Sequence, residues 1–374
     1  MSKDFADIVS LIQQSRARAY QAVNAELVNL YWQVGQYVST RLANAAWGDK
    51  TIEELAGYIQ QTEPQTRGFN KRGIFRMRQF YETYKNSAIL ASAGRQYGKA
   101  PHTVPEIVSP VVTQFKKQKN TIVSPLVTQL KLTDIRQTEL AHISWTNHLI
   151  ILSGTNNLPE KEFYIRLAAT ERYSKRELQR QIAASLFERA AMGTAKRSTL
   201  PGVLPEELTG TFKDSYVFEF LNLPEPHSEN DLQKAIIKNL KQFLLEFSRD
   251  FAYLGEEFLV QVGNKDFAID LLFFNRALNC LVAIELKVVD FAPEHLAKLN
   301  FYLEALDRDV RKQHENPSIG ILLCKAKDDE VVEYAMSRQL SPAMVAKYQL
   351  QLPDKKLLRA RLHEFFEQEQ KEND

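Results

Sequence analysis

Apolar positions repeat every three or four residues through most of the first half of the chain. This spacing brings side chains to one face of a helix, and it predicts a long helix between Phe5 and Leu42. It also predicts shorter helices at about 52–61 and 71–84, with further helices within 134–193. The first module of the chain is therefore predicted to be all-helical.

The segment 87–133 interrupts this helical pattern. It contains Gly, Pro, Ser and Lys residues, and the sequence of Ile107–Phe115 recurs in similar form at Ile122–Leu130. Two copies are too few for a repeat architecture, which needs about three units to bury a continuous core. We predict an irregular insertion, with the alternative that each copy forms an edge strand.

From Tyr216 onwards the pattern changes to the short apolar runs and helical stripes of an α/β domain. Strands are predicted at 258–263, 267–274, 279–289, 318–324 and 345–351. Helices are predicted at 229–248, 294–312 and 328–339. The core order is α-β-β-β-α-β, and the apolar run at 281–284 indicates a central strand of a sheet flanked by helices on both faces.

The length of the chain and its connectors predict two domains, in an α+β arrangement. The chain has 374 residues, more than one ordinary domain. A connector with Pro and Gly residues occupies 194–213. We therefore predict a helical domain at 1–193, a linker at 194–213 and the α/β domain at 214–374.

The net charge of +2 hides a difference between the two halves. Residues 1–200 carry 27 Lys and Arg against 16 Asp and Glu, whereas residues 201–374 carry 21 against 30. A basic half joined to an acidic half is typical of a polyanion-binding module fused to a second function. Solvated basic surface explains the same imbalance without a ligand.

Several function classes find no support in the sequence. No apolar run is long enough to span a membrane, and the first residues lack a signal peptide, so a cytoplasmic location is expected. Cys280 and Cys324 lie in apolar runs and are predicted to be buried thiols. The histidines show no metal-ligand spacing, and the chain has no Gly-rich phosphate loop.

Two acids and a lysine stand in the strand-like runs of the second domain. Asp270 interrupts the apolar run 267–274, and Glu285 and Lys287 lie two positions apart in the next run. Residues two apart in a strand point to the same face, so the side chains of Glu285 and Lys287 should meet. Charges buried on a sheet face are costly unless they are paired or bind a metal ion.

This set of residues suits metal-dependent hydrolysis of a phosphodiester. Two carboxylates supply the oxygen ligands that Mg²⁺ or Mn²⁺ prefers, and the ion activates water and offsets charge on the phosphate. A neighbouring lysine can orient or deprotonate that water. We predict that Asp270 and Glu285 bind the metal and that Lys287 is the catalytic lysine. The alternative is a buried ion pair without catalysis.

The spacing of these residues resembles the PD-(D/E)XK nuclease signature, with Ile269 in place of the proline. The wider context is similar to the YhcG-type nucleases, a bacterial family with a helical N-terminal domain. The similar stretches include Tyr31-Trp32, Met77–Tyr81, Ser174–Leu178, Val282–Lys287, Lys298–Leu303 and Ile319–Cys324. The resemblance implies a restriction-endonuclease-like C-terminal domain that hydrolyses DNA.

The same resemblance implies roles for further residues. The Leu286 carbonyl would be a third metal ligand. Lys298 and Tyr302 stand where RecB-like relatives place Gln and Tyr on the helix after the lysine strand, so a basic residue replaces the glutamine. Glu229 or Asp231 would supply an accessory acid, although an acidic helix start explains both. Core packing is the alternative role for Tyr302.

The first domain contains candidate DNA contacts on basic helices. The helices at 52–61 and 71–84 have the lengths of a helix-turn-helix, although their connection is longer than usual. Ile74, Met77, Phe80 and Tyr81 form the predicted core face of the second helix. The candidate DNA-binding residues are Lys71, Arg72, Arg76, Arg78, Arg176 and Arg180.

Two rival functions remain beside the nuclease. One is a DNA-binding protein that keeps the nuclease fold without turnover. The other is an assembly protein whose helical half forms a homo-oligomer and whose acid–lysine set is an ion-pair network. The complete set of Asp270, Glu285 and Lys287 favours the enzyme. The sequence leaves open the substrate structure, the cut polarity and the biological pathway.

Overall fold

The protein divides into two compact units, one ending at Gln179 and the other beginning at Arg180. The computed structural model describes residues 2–43, 49–91, 133–197, 212–337 and 342–362. Most of the predicted insertion at 87–133, including both copies of the duplicated sequence, lies outside the described residues.

Helices build the first unit, as predicted. They are α1 (Ser2–Ala43), α2 (Asp49–Thr62), α3 (Lys71–Tyr84), α4 (Ala88–Ala91), α5 (Trp145–Gly154), α6 (Leu158–Glu171) and the first part of α7 (Lys175–Ala183). Helices α1 and α3 pack closely because Gly35 lies against the backbone carbonyl of Met77. A Cβ atom at Gly35 would lie 2.1 Å from that carbonyl oxygen, so only glycine fits there.

Helix α3 has a defined start and an apolar face. Asn70 caps it, because the Asn70 side chain accepts a 2.8 Å hydrogen bond from the backbone N–H of Gly73. Gly68, two residues earlier, has a φ of 93°, a conformation that favours glycine. The buried face comprises Ile74, Met77, Phe80 and Tyr84. The first three were predicted, but Tyr84 is buried where Tyr81 was expected.

Among the described residues, six strands of the second unit form one mixed sheet. They are β1 (Ser215–Val217), β2 (Phe251–Val262), β3 (Lys265–Asn275), β4 (Cys280–Leu286), β5 (Asn316–Cys324) and β6 (Ala343–Gln349). Their order is β1-β6-β5-β4-β3-β2. Strands β2, β3 and β4 are antiparallel neighbours, and β4, β5, β6 and β1 run parallel.

Helices cover both faces of this sheet. They are α9 (Glu229–Lys238), α10 (Leu240–Phe247), α11 (Pro293–Ala305) and α12 (Asp329–Met336), and α8 (Leu186–Arg197) precedes them in the chain. Ile284 of β4 packs in one core with Phe243 of α10, and Ala283 packs in the other core with Leu299 of α11. Strand β4 is therefore buried on both faces, as its apolar run indicated.

The predicted order α-β-β-β-α-β is confirmed, with differences in the bounds. The helix predicted at 229–248 is divided at Asn239 into α9 and α10. Strand β2 begins at Phe251, earlier than predicted, and the edge strand β1 was not predicted. With only three residues, β1 is too short to show an alternating pattern, and its place depends on pairing with β6.

Glu246 of α10 is the centre of a buried ion-pair cluster. It lies 2.8 Å from Arg180 and 3.2 Å from Arg189, measured between carboxylate oxygens and guanidinium nitrogens. Desolvation opposes its ionisation, but the charges of Lys213, Arg189 and Arg180 outweigh desolvation and lower the pKa of Glu246 to about 2. Arg180, Arg189 and Glu246 all belong to the second unit, whereas the predicted domain bounds of 1–193, 194–213 and 214–374 stay a prediction.

Two further expectations concern the cysteines and the membrane. Cys280 and Cys324 are buried and unpaired with each other, so the prediction of buried thiols is confirmed. Within the described ranges, no helix has both the length and the apolar character that a membrane span requires.

Candidate active site

Asp270 and Glu285 come together at the end of the β3–β4 ladder. Leu271 pairs with Ile284 across these antiparallel strands, so the next positions along them are Asp270 and Glu285. The Asp270 Oδ2 atom accepts a 2.7 Å hydrogen bond from the backbone N–H of Leu286. This bond joins the Asp270 carboxylate to the strand that carries Glu285, so the two acids converge as predicted.

Glu285 is fully buried and contacts two ammonium groups through one of its oxygens. Its Oε1 atom lies 3.0 Å from the Nζ of Lys287 and 2.6 Å from the Nζ of Lys298. The first contact confirms that the side chains of Glu285 and Lys287 meet. The Oε2 atom of Glu285 is buried without a hydrogen-bond partner in the described structure. Leaving such an acceptor unsatisfied costs on the order of 1–3 kcal/mol.

Lys287 lies between two acids from different elements. Its Nζ is 3.0 Å from Glu285 Oε1 and 3.0 Å from Glu229 Oε2 on α9, and it also donates to the Leu286 carbonyl. Desolvation lowers the pKa of Lys287, but the hydrogen bond to Glu229 and the charge on Glu285 outweigh it, so the pKa lies above its ordinary value. Lys287 is therefore an ammonium ion at neutral pH.

Helix α11 brings Lys298 and Tyr302 to the site, one turn apart. The Lys298 Nζ lies 5.4 Å from the centroid of the Tyr302 ring, within cation–π range. The Tyr302 hydroxyl donates a 2.6 Å hydrogen bond to the carbonyl of Ala268 on β3. Burial raises the pKa of Tyr302. Tyr302 thus packs in the core and also anchors α11 beside the strand that carries Asp270.

The two acids that we considered on α9 have different surroundings. Glu229 reaches Lys287, whereas the Asp231 carboxylate accepts hydrogen bonds from the backbone N–H and hydroxyl of Ser228. Asp231 therefore completes the capping box at the start of α9. Sequence reasoning missed Gln233, whose side-chain amide donates a 2.8 Å hydrogen bond to the Asp270 carbonyl. Its position four residues after Glu229, on one helix face, was the available signal.

The electrostatics between the two carboxylates suit a bound cation. Burial raises the pKa of Asp270 to about 6, and the negative charge of Glu285 adds to the rise. The hydrogen bond from Leu286 and the charges of Lys298 and Lys287 oppose this rise. A divalent ion between the acids would offset their repulsion and provide a partner for the buried Oε2 atom of Glu285.

The donor set is two carboxylates and a carbonyl. In the part of the chain that the structure describes, no three His, Cys, Asp or Glu side chains are grouped so that they could hold a metal ion. Asp270, Glu285 and the Leu286 carbonyl offer hard oxygen donors, which Mg²⁺ accepts from proteins while keeping several waters. These residues therefore fit a partly hydrated Mg²⁺ or Mn²⁺ ion.

The candidate DNA-binding residues of the first domain lie at its surface, with one exception. Lys71 pairs with Glu53 at 2.7 Å and Arg78 with Glu82 at 2.8 Å. The others in the first unit are Arg72, Arg76 and Arg176, of which Arg72 and Arg176 are exposed. The prediction that Arg180 contacts DNA requires a correction. Its guanidinium group binds Glu219, Glu246 and the Val217 carbonyl of the second unit, so its donors are engaged within the protein.

The C-terminal region matches a nuclease family. Residues 209–363 match the model of the YhcG PDDEXK nuclease domain. This region of the chain is therefore similar to the YhcG-type nuclease domains. Residues 7–100 and 111–189 match the model of the DUF1016 N-terminal domain. The restriction-endonuclease-like fold that the resemblance implied agrees with the observed sheet.

Individual proteins are similar to this chain to different extents. The Escherichia coli K12 protein named "Putative nuclease YhcG" is 28% identical over 361 residues, which cover 94% of this chain and 90% of that protein. A repair endonuclease from Pyrococcus abyssi is similar over 35% of this chain, with 16% identity and a TM-score of 0.24. EndoMS in its apo form is similar over the same share, with 18% identity and a TM-score of 0.23. The chain spans about half the length of these two structures, 50% and 49%.

Proposed function

We propose that the second unit hydrolyses DNA phosphodiester bonds with Mg²⁺ or Mn²⁺. The observation that carries this proposal is the buried, unpartnered Oε2 atom of Glu285, next to the Asp270 carboxylate. Buried polar atoms of folded proteins mostly have hydrogen-bond partners, and a bound ion would provide one for this oxygen. Asp270, Glu285 and the Leu286 carbonyl would bind the ion, which supplies an activated water and offsets charge on the scissile phosphate.

The side chains around the ion have separate roles in this proposal. Asp270, tied to the Leu286 N–H, keeps the two strand ends aligned. Lys287, an ammonium ion held between Glu285 and Glu229, orients the attacking water and stabilises the negative charge that develops on the phosphate. Glu229 positions Lys287, and Tyr302 positions Lys298 through the bond to Ala268.

The first domain would bind DNA or a partner. Lys71 and Arg78 form surface ion pairs, which contribute little to stability, so both can exchange their acid for a phosphate. Arg72, Arg76 and Arg176 would add further phosphate contacts. The excess of basic residues in 1–200 supports DNA as the ligand. A homo-oligomer formed through the helical domain is compatible with this role.

The test is cleavage by the full chain of supercoiled, linear, branched and single-stranded DNA, with Mg²⁺ or with EDTA. We expect cleavage that requires the metal and is absent from Glu285→Ala. Asp266→Ala is the matched control, because Asp266 is an exposed acid on β3, the strand that carries Asp270. Cleavage that persists in EDTA, or in Glu285→Ala, would exclude the proposed site.

A second candidate is a DNA-binding or assembly protein that retains the nuclease fold without turnover. The observation in its favour is that Lys287 and Lys298 both contact Glu285, so the acid is already charge-compensated. This candidate predicts DNA binding by the first domain with no cleavage of any substrate. It also predicts that divalent ions leave the melting temperature unchanged.

A further inference from the structure

We propose that Lys298 occupies the metal site in the metal-free protein and leaves it for a substrate phosphate, so that metal binding and phosphate binding are coupled. This inference rests on the proposed nuclease function. Lys287 and Lys298 both contact the same oxygen of the buried Glu285.

The two lysines differ in how firmly they are held. Lys287 is 13% exposed and is bound by Glu285, Glu229 and the Leu286 carbonyl. Lys298 is 46% exposed, and it contacts Glu285 and the ring of Tyr302. Lys287 is therefore held in place by three contacts. Lys298, on a flexible stem that reaches solvent, can move without breaking those contacts.

Lys298 and a divalent ion compete for the same acid. The ammonium group lies 2.6 Å from the Oε1 atom of Glu285, whose carboxylate is a ligand in the proposed metal site. A positive ion bound between Asp270 and Glu285 would repel the ammonium group at this distance. The metal must therefore displace Lys298. Breaking the Lys298–Glu285 pair makes the free energy of metal binding less favourable.

The displaced ammonium group remains beside the reaction site. The Tyr302 ring lies 5.4 Å from the Lys298 Nζ, and the Tyr302 hydroxyl is hydrogen-bonded to the Ala268 carbonyl. A phosphate at the metal would then bind Lys298 and stabilise its displaced position. By linkage, a phosphate ligand strengthens metal binding by the same factor by which the metal strengthens phosphate binding.

The experiment measures Mn²⁺ binding to the full chain by calorimetry, without DNA, for the wild type, Lys298→Met and Lys298→Gln. Thymidine 5′-monophosphate, which contains no phosphodiester bond, is the phosphate probe. We expect both variants to bind Mn²⁺ about tenfold tighter than the wild type without the probe, a factor within the usual range of coupling. The probe should tighten Mn²⁺ binding by the wild type and have little effect on either variant.

Lys241→Met is the matched control, because Lys241 is an exposed lysine on α10, and it should behave as the wild type. Glu285→Gln, which lacks a proposed metal ligand, gives the background heat of the Mn²⁺ titration. Equal or weaker Mn²⁺ binding by both Lys298 variants would overturn the inference, as would equal tightening by the probe in all proteins. If no protein binds Mn²⁺, the inference and the proposed function both fail. If the wild type cleaves DNA with Mn²⁺ but its Mn²⁺ binding is not coupled to phosphate binding, the inference alone is rejected.

Discussion

The Asp270 carboxylate is hydrogen-bonded to the backbone of Leu286, the residue between Glu285 and Lys287. The 2.7 Å bond from the Leu286 N–H joins β3 to the end of β4. It aligns the peptide whose carbonyl is the third proposed ligand. Two carboxylates, one carbonyl and one lysine therefore form a single unit, and a change at one of them affects the positions of the others.

Replacing Asp270 with Asn should separate metal binding from folding. Asparagine keeps an oxygen that accepts from Leu286, and it removes one of two repelling charges, so the melting temperature in EDTA should stay unchanged or rise. Mn²⁺ binding and cleavage should be lost, as measured by calorimetry and plasmid cleavage. Asp266→Asn, on the same strand, should keep both activities. Wild-type cleavage by Asp270→Asn would show that the metal binds elsewhere.

Lys287→Met should remove cleavage with little loss of stability. The buried Glu285 keeps Lys298 as a partner, and Glu229 is 43% exposed, so no buried charge loses all compensation. We expect a cleavage rate lower by several orders of magnitude and a melting temperature near that of the wild type. A destabilisation of about 3–5 kcal/mol, without any wild-type cleavage to lose, would instead support a structural ion pair. Lys241→Met controls for the loss of a lysine.

Glu229→Gln and Asp231→Asn should affect different properties, although the residues are two apart on α9. Glu229 contacts Lys287, so its amide variant should reduce the cleavage rate and leave Mn²⁺ binding intact. Asp231 caps the helix, so its variant should lower the melting temperature and keep the cleavage rate. Cleavage kinetics and thermal melts of the two variants measure the difference. The reverse result would exchange the two roles.

Glu246→Gln should change how stability depends on pH. The folded-state pKa of Glu246 is about 2, below its ordinary value of 4.5, because three cations surround it. Its ionised form therefore stabilises the protein above about pH 4.5, and this stabilisation is lost as the pH falls towards 2. Denaturant unfolding at neutral pH should show a loss of about 3–5 kcal/mol in the variant, since Arg180 and Arg189 lose a buried partner. The difference from the wild type should shrink in acid.

The basic residues of the first unit should determine how DNA binding responds to salt. In the full chain, combined replacement of Arg72, Arg76 and Arg176 by alanine should weaken binding. It should also reduce the slope of log affinity against log salt by up to about three. Fluorescence anisotropy with labelled duplex DNA measures both quantities. Arg308→Ala, an exposed arginine of the second unit, is the control. An unchanged slope would remove these residues from the DNA-binding surface.

Local pattern determined the elements and the centre of the candidate site. The period of apolar residues is a property of neighbouring positions, and it predicted α2, α3, the strands β3 to β5 and the double-sided burial of β4. The meeting of Glu285 with Lys287 follows from the two-residue period of a strand, which does not depend on the rest of the fold. The convergence of Asp270 with Glu285 needs only the antiparallel pairing of two consecutive strands.

Tertiary structure decided which distant side chains complete the site. Glu229 and Asp231 have the same local signal, and only the packing of α9 against the sheet directs Glu229 to Lys287. Likewise, Lys298 reaches Glu285 because of where α11 crosses the sheet, and Arg180 turns to Glu246 and not to solvent. Such contacts depend on the positions of whole helices, which many residues set together. Sequence spacing therefore identifies the strand residues of the site, and helix packing selects their partners.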